Sequence, residues 1–336
     1  MTRGIEEAHL RARLVHRITL ATWPTPLEEL TRLRTVLGCA SRLFVKRDDA
    51  ASFGMGGTKV RMLELLASEA RAAGADVLVT CGTAKSNCAR LVGSLAARLG
   101  MECVLVLSGP RPAYASDNLL LCELLGARIH WVASREERAA ATDAVVRHLK
   151  AAGRVPFVIP LSAATTSATL AVAGGMLEAL DQSPMIPDVI VVSSSEGATQ
   201  AGLLLGGAVR GVPTRVIGIS PDDPADAVRG RVRTLLKTAA SAIGFGRAVN
   251  EPVVEVDDTY ADGAPGRDRR ITEAITLLAR TEGLFLDPVY TGAAAAALLD
   301  GLARGTFDGC HTVLLWHTGG LPALFAPRPR DRVDNQ

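Results

Sequence analysis

Lys59 ends a glycine cluster, Gly54-Met55-Gly56-Gly57-Thr58-Lys59, and opens an apolar helical run that reaches Ala73. A lysine so placed stands at the positive end of a helix dipole, where burial and the dipole both lower its pKa and leave an amine able to act as a nucleophile. A second glycine turn, Gly82-Thr83-Ala84-Lys85-Ser86-Asn87, also opens a helix, from Ser86 to Leu99. Hydroxyl and amide side chains at a helix start make a pocket for a small anion such as a carboxylate. A third segment, Ser193-Ser194-Ser195-Glu196-Gly197-Ala198-Thr199-Gln200-Ala201-Gly202, follows an apolar strand. There the free amides and the Thr199 hydroxyl converge where a phosphate would sit. The segment lacks the glycine spacing of a dinucleotide site and the Lys-Ser/Thr pair of a nucleoside triphosphate site, so a single terminal phosphate suits it best. Glu196 is an awkward neighbour for a dianion unless it points away. Each turn also fits an ordinary strand-to-helix loop with Lys59 solvated. Tyr290 also fits a core ring, and His317 has no partner at hydrolase spacing.

These turns are held by a regular alternation. From Thr58 the pattern predicts helix 58–73, strand 76–80, helix 86–99, strand 103–107, a helix over 118–125, strand 128–132, helix 136–152 and strand 155–159. After the Ser/Thr/Ala-rich loop 161–167 it predicts helix 168–180, strand 189–193, helix 199–210, strand 215–219, helix 224–243, strand 253–256, helices 271–282 and 292–304, and strand 312–316. Short continuous apolar strands between amphipathic helices mean parallel sheets covered on both faces, an α/β protein of two open doubly wound units. The expected division is residues 1–50 plus 164–336 as a large domain and 51–163 as a smaller one inserted in it, with the site in the cleft between. In the Arg-rich lead, Pro26 reads as a helix start before strand 43–46, and the tail after Pro327 reads as frayed.

Hydrophobic residues make up 48% and charged residues 21%, and Lys+Arg 37 against Asp+Glu 35 leaves a formal charge of +2. With no basic block to neutralise a run of phosphates, nucleic acid is not an expected partner. No uncharged apolar run approaches the roughly 18 residues of a membrane span, so the chain reads as soluble and cytoplasmic. The 6 cysteines lack CxxC spacing, which argues against a metal site and a disulfide framework; most read as buried, Cys88 beside the Ser86-Asn87 turn being the exception.

A lysine, an anion-binding turn and a phosphate cradle together fit pyridoxal phosphate held as a Schiff base. The chain resembles the D-cysteine desulfhydrase and 1-aminocyclopropane-1-carboxylate (ACC) deaminase family, whose members have the tryptophan synthase β-subunit-like architecture of fold-type II pyridoxal-phosphate enzymes. The resemblance runs from Pro24-Thr25-Pro26-Leu27 to Leu321-Pro322-Ala323-Leu324. It rests on Val45-Lys46-Arg47-Asp48-Asp49, Gly56-Gly57-Thr58-Lys59-Val60-Arg61, Lys85-Ser86-Asn87-Cys88-Ala89-Arg90, Thr199-Gln200-Ala201-Gly202-Leu203, Asp287-Pro288-Val289-Tyr290-Thr291-Gly292 and His317-Thr318-Gly319-Gly320. It implies that Lys59 carries the cofactor and later moves the α-proton. Ser86 and Asn87 would hold the substrate carboxylate and the cofactor ring hydroxyl, and Gly197, Ala198, Thr199 and Gln200 would cup the phosphate. Tyr290 would approach the reacting carbon and Thr291 would face the ring nitrogen. ACC deaminases carry a glutamate after the tyrosine; Thr291 instead favours a neutral ring, sufficient to eliminate a good leaving group.

The departures from the family pattern are Thr58 for Asn, Lys85 and Cys88 around Ser86-Asn87, and the absence of a second active-site tyrosine in the run after Tyr260. Lys85 and Cys88 therefore become candidate substrate contacts. The expected activity is α,β-elimination on a small amino acid, D-cysteine by default, giving keto acid and ammonia. ACC deamination, a specialised elimination or replacement, and a cofactor-binding protein without turnover are the alternatives. The resemblance alone implies a homodimer.

Overall fold

Alternate residues of the long apolar strands face opposite sides of one sheet, and both sides are covered. Leu43, Val45, Val189, Val191, Val313 and Leu315 pack into one cluster, while Phe44, Ile190, Val192, Leu314 and Trp316 between them pack into another. Strands buried on both faces become continuous apolar runs because neither face is left to water. The structure, a computed structural model, describes residues 3–245 and 252–326; the tail after Pro327 lies outside them.

The larger sheet contains β1 (Leu27–Glu29), β2 (Arg42–Arg47), β7 (Val189–Ser193), β8 (Arg215–Ile219), β9 (Glu255–Asp257) and β10 (Thr312–His317), in the order β1-β2-β10-β7-β8-β9. Only β1 is antiparallel to its neighbour. The smaller sheet is all parallel, in the order β5-β4-β3-β6, from β3 (Val77–Thr83), β4 (Glu102–Ser108), β5 (Arg128–Val132) and β6 (Pro156–Val158). The helices are α1 (Arg3–Val15), α2 (Thr31–Leu37), α3 (Lys59–Ala72), α4 (Asn87–Leu99), α5 (Asp117–Leu124), α6 (Glu137–Ala151), α7 (Thr166–Gln182), α8 (Ala198–Arg210), α9 (Ala225–Ala242), α10 (Arg267–Glu282) and α11 (Thr291–Ala303). Helices α7 and α8 pack closely enough that a Cβ at Gly202 would stand 2.7 Å from the Thr169 carbonyl oxygen.

Departures from the expected elements fall at the sheet edges. Pro26 leads into β1 rather than a helix: Leu27 pairs with Lys46, and the edge position tolerates a residue with no N–H to donate. Strand β9 begins at Glu255 instead of Val253, which is exposed and has no neighbour in the ladder. Helix α10 starts earlier, at Arg267, behind Gly266 in a left-handed conformation. No helix among the described residues is long and apolar enough to cross a membrane.

Candidate active site

The carboxyl ends of β2, β3, β7 and β10 carry the turns that line one cavity, where ligands of open α/β sheets bind. The loop before Lys59 is fixed by backbone bonds, Gly57 N–H to the Asp48 carbonyl at 2.9 Å and Thr58 N–H to the Thr318 carbonyl at 3.1 Å. Gly57 has φ +116°, and a Cβ there would lie 2.8 Å from the Thr318 oxygen, so glycine is what lets this loop touch the end of β10. Beneath it Asp48, fully buried, accepts from Thr25 and Thr58 hydroxyls at 2.9 Å, Trp316 Nε1 at 3.0 Å and Arg61 Nη2 at 2.7 Å. Arg61 also reaches Glu178 at 2.8 Å, which in turn accepts from buried Lys46 at 2.6 Å. This network anchors the residue immediately before Lys59.

Lys59 is half-buried, lines the cavity and is hydrogen-bonded to no carboxylate among the described residues. Burial lowers its pKa and outweighs the raising effect of Cys88; Arg90 adds repulsion, and Asp287 and Glu196 raise it by less. The neutral amine is thereby favoured. The chain has five lysines. Lys46 is paired with Glu178, and Lys85, Lys150 and Lys237 are exposed. Lys59 is thus the lysine that stands in the cleft.

Two helix starts face this amine. Ser86 caps α4, its hydroxyl accepting from the Ala89 amide at 3.1 Å, and Asn87 lines the cavity. Across the cleft, Gly197 at φ +89° precedes α8, and the amides of Gly197, Ala198, Thr199 and Gln200 have no acceptor among the described residues. The hydroxyls of Ser193 and Ser194 are buried without partners beside them. Unsatisfied donors at a helix start form an anion site. Glu196, the awkward neighbour, lies 3.7 Å from both Arg135 and Arg231, which Asp223 shares at 3.3 and 2.7 Å.

Tyr290 lines the cavity, half-buried, at the start of α11, and burial pushes its phenol up from the usual range. Asp287 sets this start: it accepts from the amides of Val289, Tyr290 and Thr291 at 2.9, 2.8 and 2.8 Å. The Thr291 hydroxyl donates to Asp287 Oδ1 at 2.7 Å and accepts from the Asp287 amide at 2.9 Å. Its proton is committed, and the side chain is buried away from the cavity wall; at most a lone pair remains for a ring nitrogen. His317 is buried, its Nε2 3.0 Å from the Phe285 carbonyl, and burial lowers its pKa.

Other expected contacts lie elsewhere. The Lys85 side chain is exposed and outside the cavity lining. Cys88 is buried, contrary to its expected exposure, because its position on α4 faces the core; burial pushes its thiol up. The Gln200 side chain donates to Val216 and Glu255 carbonyls at 3.2 and 2.6 Å, so only its amide is left for the cup. Tyr260 is a core ring bonded to Asp300. Arg90, which ends the matching run Lys85–Arg90 without an expected role, and Ser162, at φ +55° and in no motif, also line the cavity.

The family model described as pyridoxal-phosphate dependent enzyme matches residues 18–319. A D-cysteine desulfhydrase of Klebsiella pneumoniae is 35% identical over 321 residues, 93% of this chain and 96% of that protein. A Pyrococcus abyssi protein named for 1-aminocyclopropane-1-carboxylate deaminase is 35% identical over 315 residues, covering 92% of this chain and 93% of its own. The solved structure of an ACC deaminase homologue superposes with TM-score 0.85 at 31% identity, covering 94% of this chain and 96% of that one. A threonine deaminase structure, TM-score 0.67 at 20% identity over 93% and 97%, shares the fold.

Proposed function

Since this chain belongs to the pyridoxal-phosphate dependent enzyme family, we propose that it is a lyase that removes a β-substituent and the amino group from a small amino acid, D-cysteine in the first instance, to give keto acid and ammonia. The observation that carries this reading is an unpaired Lys59 amine in a cleft that also holds the free amides of α8. The residues fit the cofactor: partnerless Ser193 and Ser194 hydroxyls and the amides of Gly197, Ala198, Thr199 and Gln200 suit a phosphate, and the neutral amine suits an aldehyde.

When bound, pyridoxal phosphate supplies an electron sink that stabilises negative charge on the substrate's α-carbon. Lys59 would hold the cofactor, and its amine, which burial shifts toward the neutral form, is the group on this chain to take the α-proton. Ser86 and Asn87 at the start of α4 bind the substrate carboxylate and orient the α-carbon. Tyr290, whose phenol burial keeps protonated and which lines the same cavity, is the group taken to pass a proton to a departing thiolate. Loops from both sheets line the cavity and limit water around the amine.

The same reading divides the chain into a large domain, 1–50 plus 164–336, and a small one, 51–163, and takes the protein as a cytoplasmic homodimer on the family resemblance. ACC ring opening is the second reading, favoured by the equal identity of the Pyrococcus protein. Thr291 weighs against it because it brings no acid of its own to the ring. Purified enzyme loaded with cofactor and offered D- and L-cysteine, β-chloroalanine, cysteate and ACC distinguishes these. Keto acid and ammonia from D-cysteine are expected. Ketobutyrate from ACC alone would favour the second reading, and no keto acid from any would refute elimination.

A further inference from the structure

Asn118 is fully buried at the second position of α5, 31 residues along the chain from Asn87. Its Oδ1 accepts from Arg90 Nε at 2.8 Å. Its Nδ2 donates to the Lys85 carbonyl at 2.9 Å and to Asn87 Oδ1 at 3.0 Å. A guanidinium can only donate and a backbone carbonyl can only accept. These two partners therefore decide which end of the Asn118 amide is oxygen and which is nitrogen. With nitrogen facing Asn87, the atom of Asn87 that meets it must be oxygen, and the Asn87 nitrogen is left to the cavity that Asn87 lines with Lys59.

We propose that Asn118 is a positioning residue that holds Asn87 as an obligate hydrogen-bond donor toward an anionic oxygen of the bound ligand, either the cofactor's ring oxygen or the substrate's carboxylate. Arg90 is the origin of this polarity. It is 1% exposed, both its Nη atoms are without partners among the described residues, and burial lowers its pKa to about 10. A glutamine in its place would donate or accept, and the chain Arg90–Asn118–Asn87 would lose its sense. The arrangement selects oxyanions because an unlocked asparagine presents its oxygen as readily as its nitrogen, whereas the locked one presents only N–H. The inference rests on the reading of this cleft as a pyridoxal-phosphate site.

The test compares wild type, Asn118→Asp, Asn87→Ala and the double variant. Cofactor-free protein is titrated with pyridoxal phosphate, the pH midpoint of the bound chromophore is read by absorbance, and KM and kcat for D-cysteine are measured on what loads. An aspartate at 118 has no N–H; it turns the Asn87 nitrogen toward itself and the oxygen to the cleft. If the oxyanion is the cofactor's, affinity for pyridoxal phosphate falls about tenfold or more and the chromophore's pH midpoint rises, since a lost donor makes that oxygen more basic. If it is the substrate's, cofactor binding holds and KM rises about tenfold with kcat nearly unchanged. In either case Asn118→Asp adds little in the Asn87→Ala background. Wild-type values in Asn118→Asp, or an equal effect with Asn87 already absent, would overturn the proposal, the latter assigning Asn118 to stability alone. If Asn118→Asp does not fold, Asn118→Ala enters the same cycle with a smaller effect of the same sign. A wild type that binds no pyridoxal phosphate would overturn the site reading and this inference with it.

Discussion

Replacing Asp48 by asparagine tests whether the buried network under Thr58 holds the lysine loop. Asp48 is inaccessible to solvent and accepts from Thr25, Thr58, Arg61 and Trp316. An asparagine keeps the shape, removes the charge, and turns an N–H₂ against groups that themselves donate. Breaking a buried ion pair costs about 3–5 kcal/mol, and the lower end applies because Glu178 still pairs with Arg61. With an unfolding entropy of about 2.1 cal/mol/K per residue over 336 residues, ~3 kcal/mol lowers Tm by about 4 °C. Burial raises the Asp48 pKa, but Arg61, Lys46 and Thr58 outweigh it and hold the carboxyl below its usual value. A depressed carboxyl pKa stabilises the fold above its unfolded value of about 3.9, and the stabilisation is lost as pH falls through the folded pKa. Calorimetric melts should therefore show a constant gap between the two proteins from about pH 5 to 8, shrinking below about pH 4. A gap under about 1 °C at neutral pH, or one that widens in acid, would refute the network's role.

The Gly197→Ala variant should bind pyridoxal phosphate at least about tenfold more weakly, because its Cβ would meet Val232 Cγ2 at 2.9 Å from a backbone at φ +89°; equilibrium titration measures this. In cofactor-free protein at pH 7, an amine-selective reagent small enough to enter the cleft should label Lys59 before exposed Lys150, read by peptide mass, since its lowered pKa leaves more free amine. Lys85→Ala should keep KM within about twofold of wild type in steady-state kinetics, as expected of an exposed side chain away from the cavity.

The strands at 189–193 and 215–219 were legible residue for residue, the first because it is buried on both faces throughout, the second because an apolar run follows its exposed Arg215. Edge strands were not: β1 and β9 contain no fully buried residue and carry mixed sequences, so their bounds are set by neighbours rather than by their own pattern. Lys59 and the turn before α8 were visible because each is a local backbone device whose glycines and hydroxyls sit within a few residues. Asn118, Arg90 and Asp48 were invisible as site residues, since their work depends on partners that the fold brings in, Arg90 to Asn118 across 28 residues and Trp316 to Asp48 across 268. Thr291 shows a further limit. Its type suggested a donor for the cofactor ring, yet where a hydroxyl sends its proton is decided by the Asp287 turn.

Whether Lys59 carries the cofactor can be read directly. Borohydride reduction of the loaded enzyme makes a lysine–cofactor linkage permanent, and peptide mass spectrometry then locates it among the five lysines. One pyridoxyl group per chain is expected, on the peptide containing Lys59, and none in Lys59→Ala. A label on Lys46, Lys85, Lys150 or Lys237, or equal labelling of the two proteins, would contradict it.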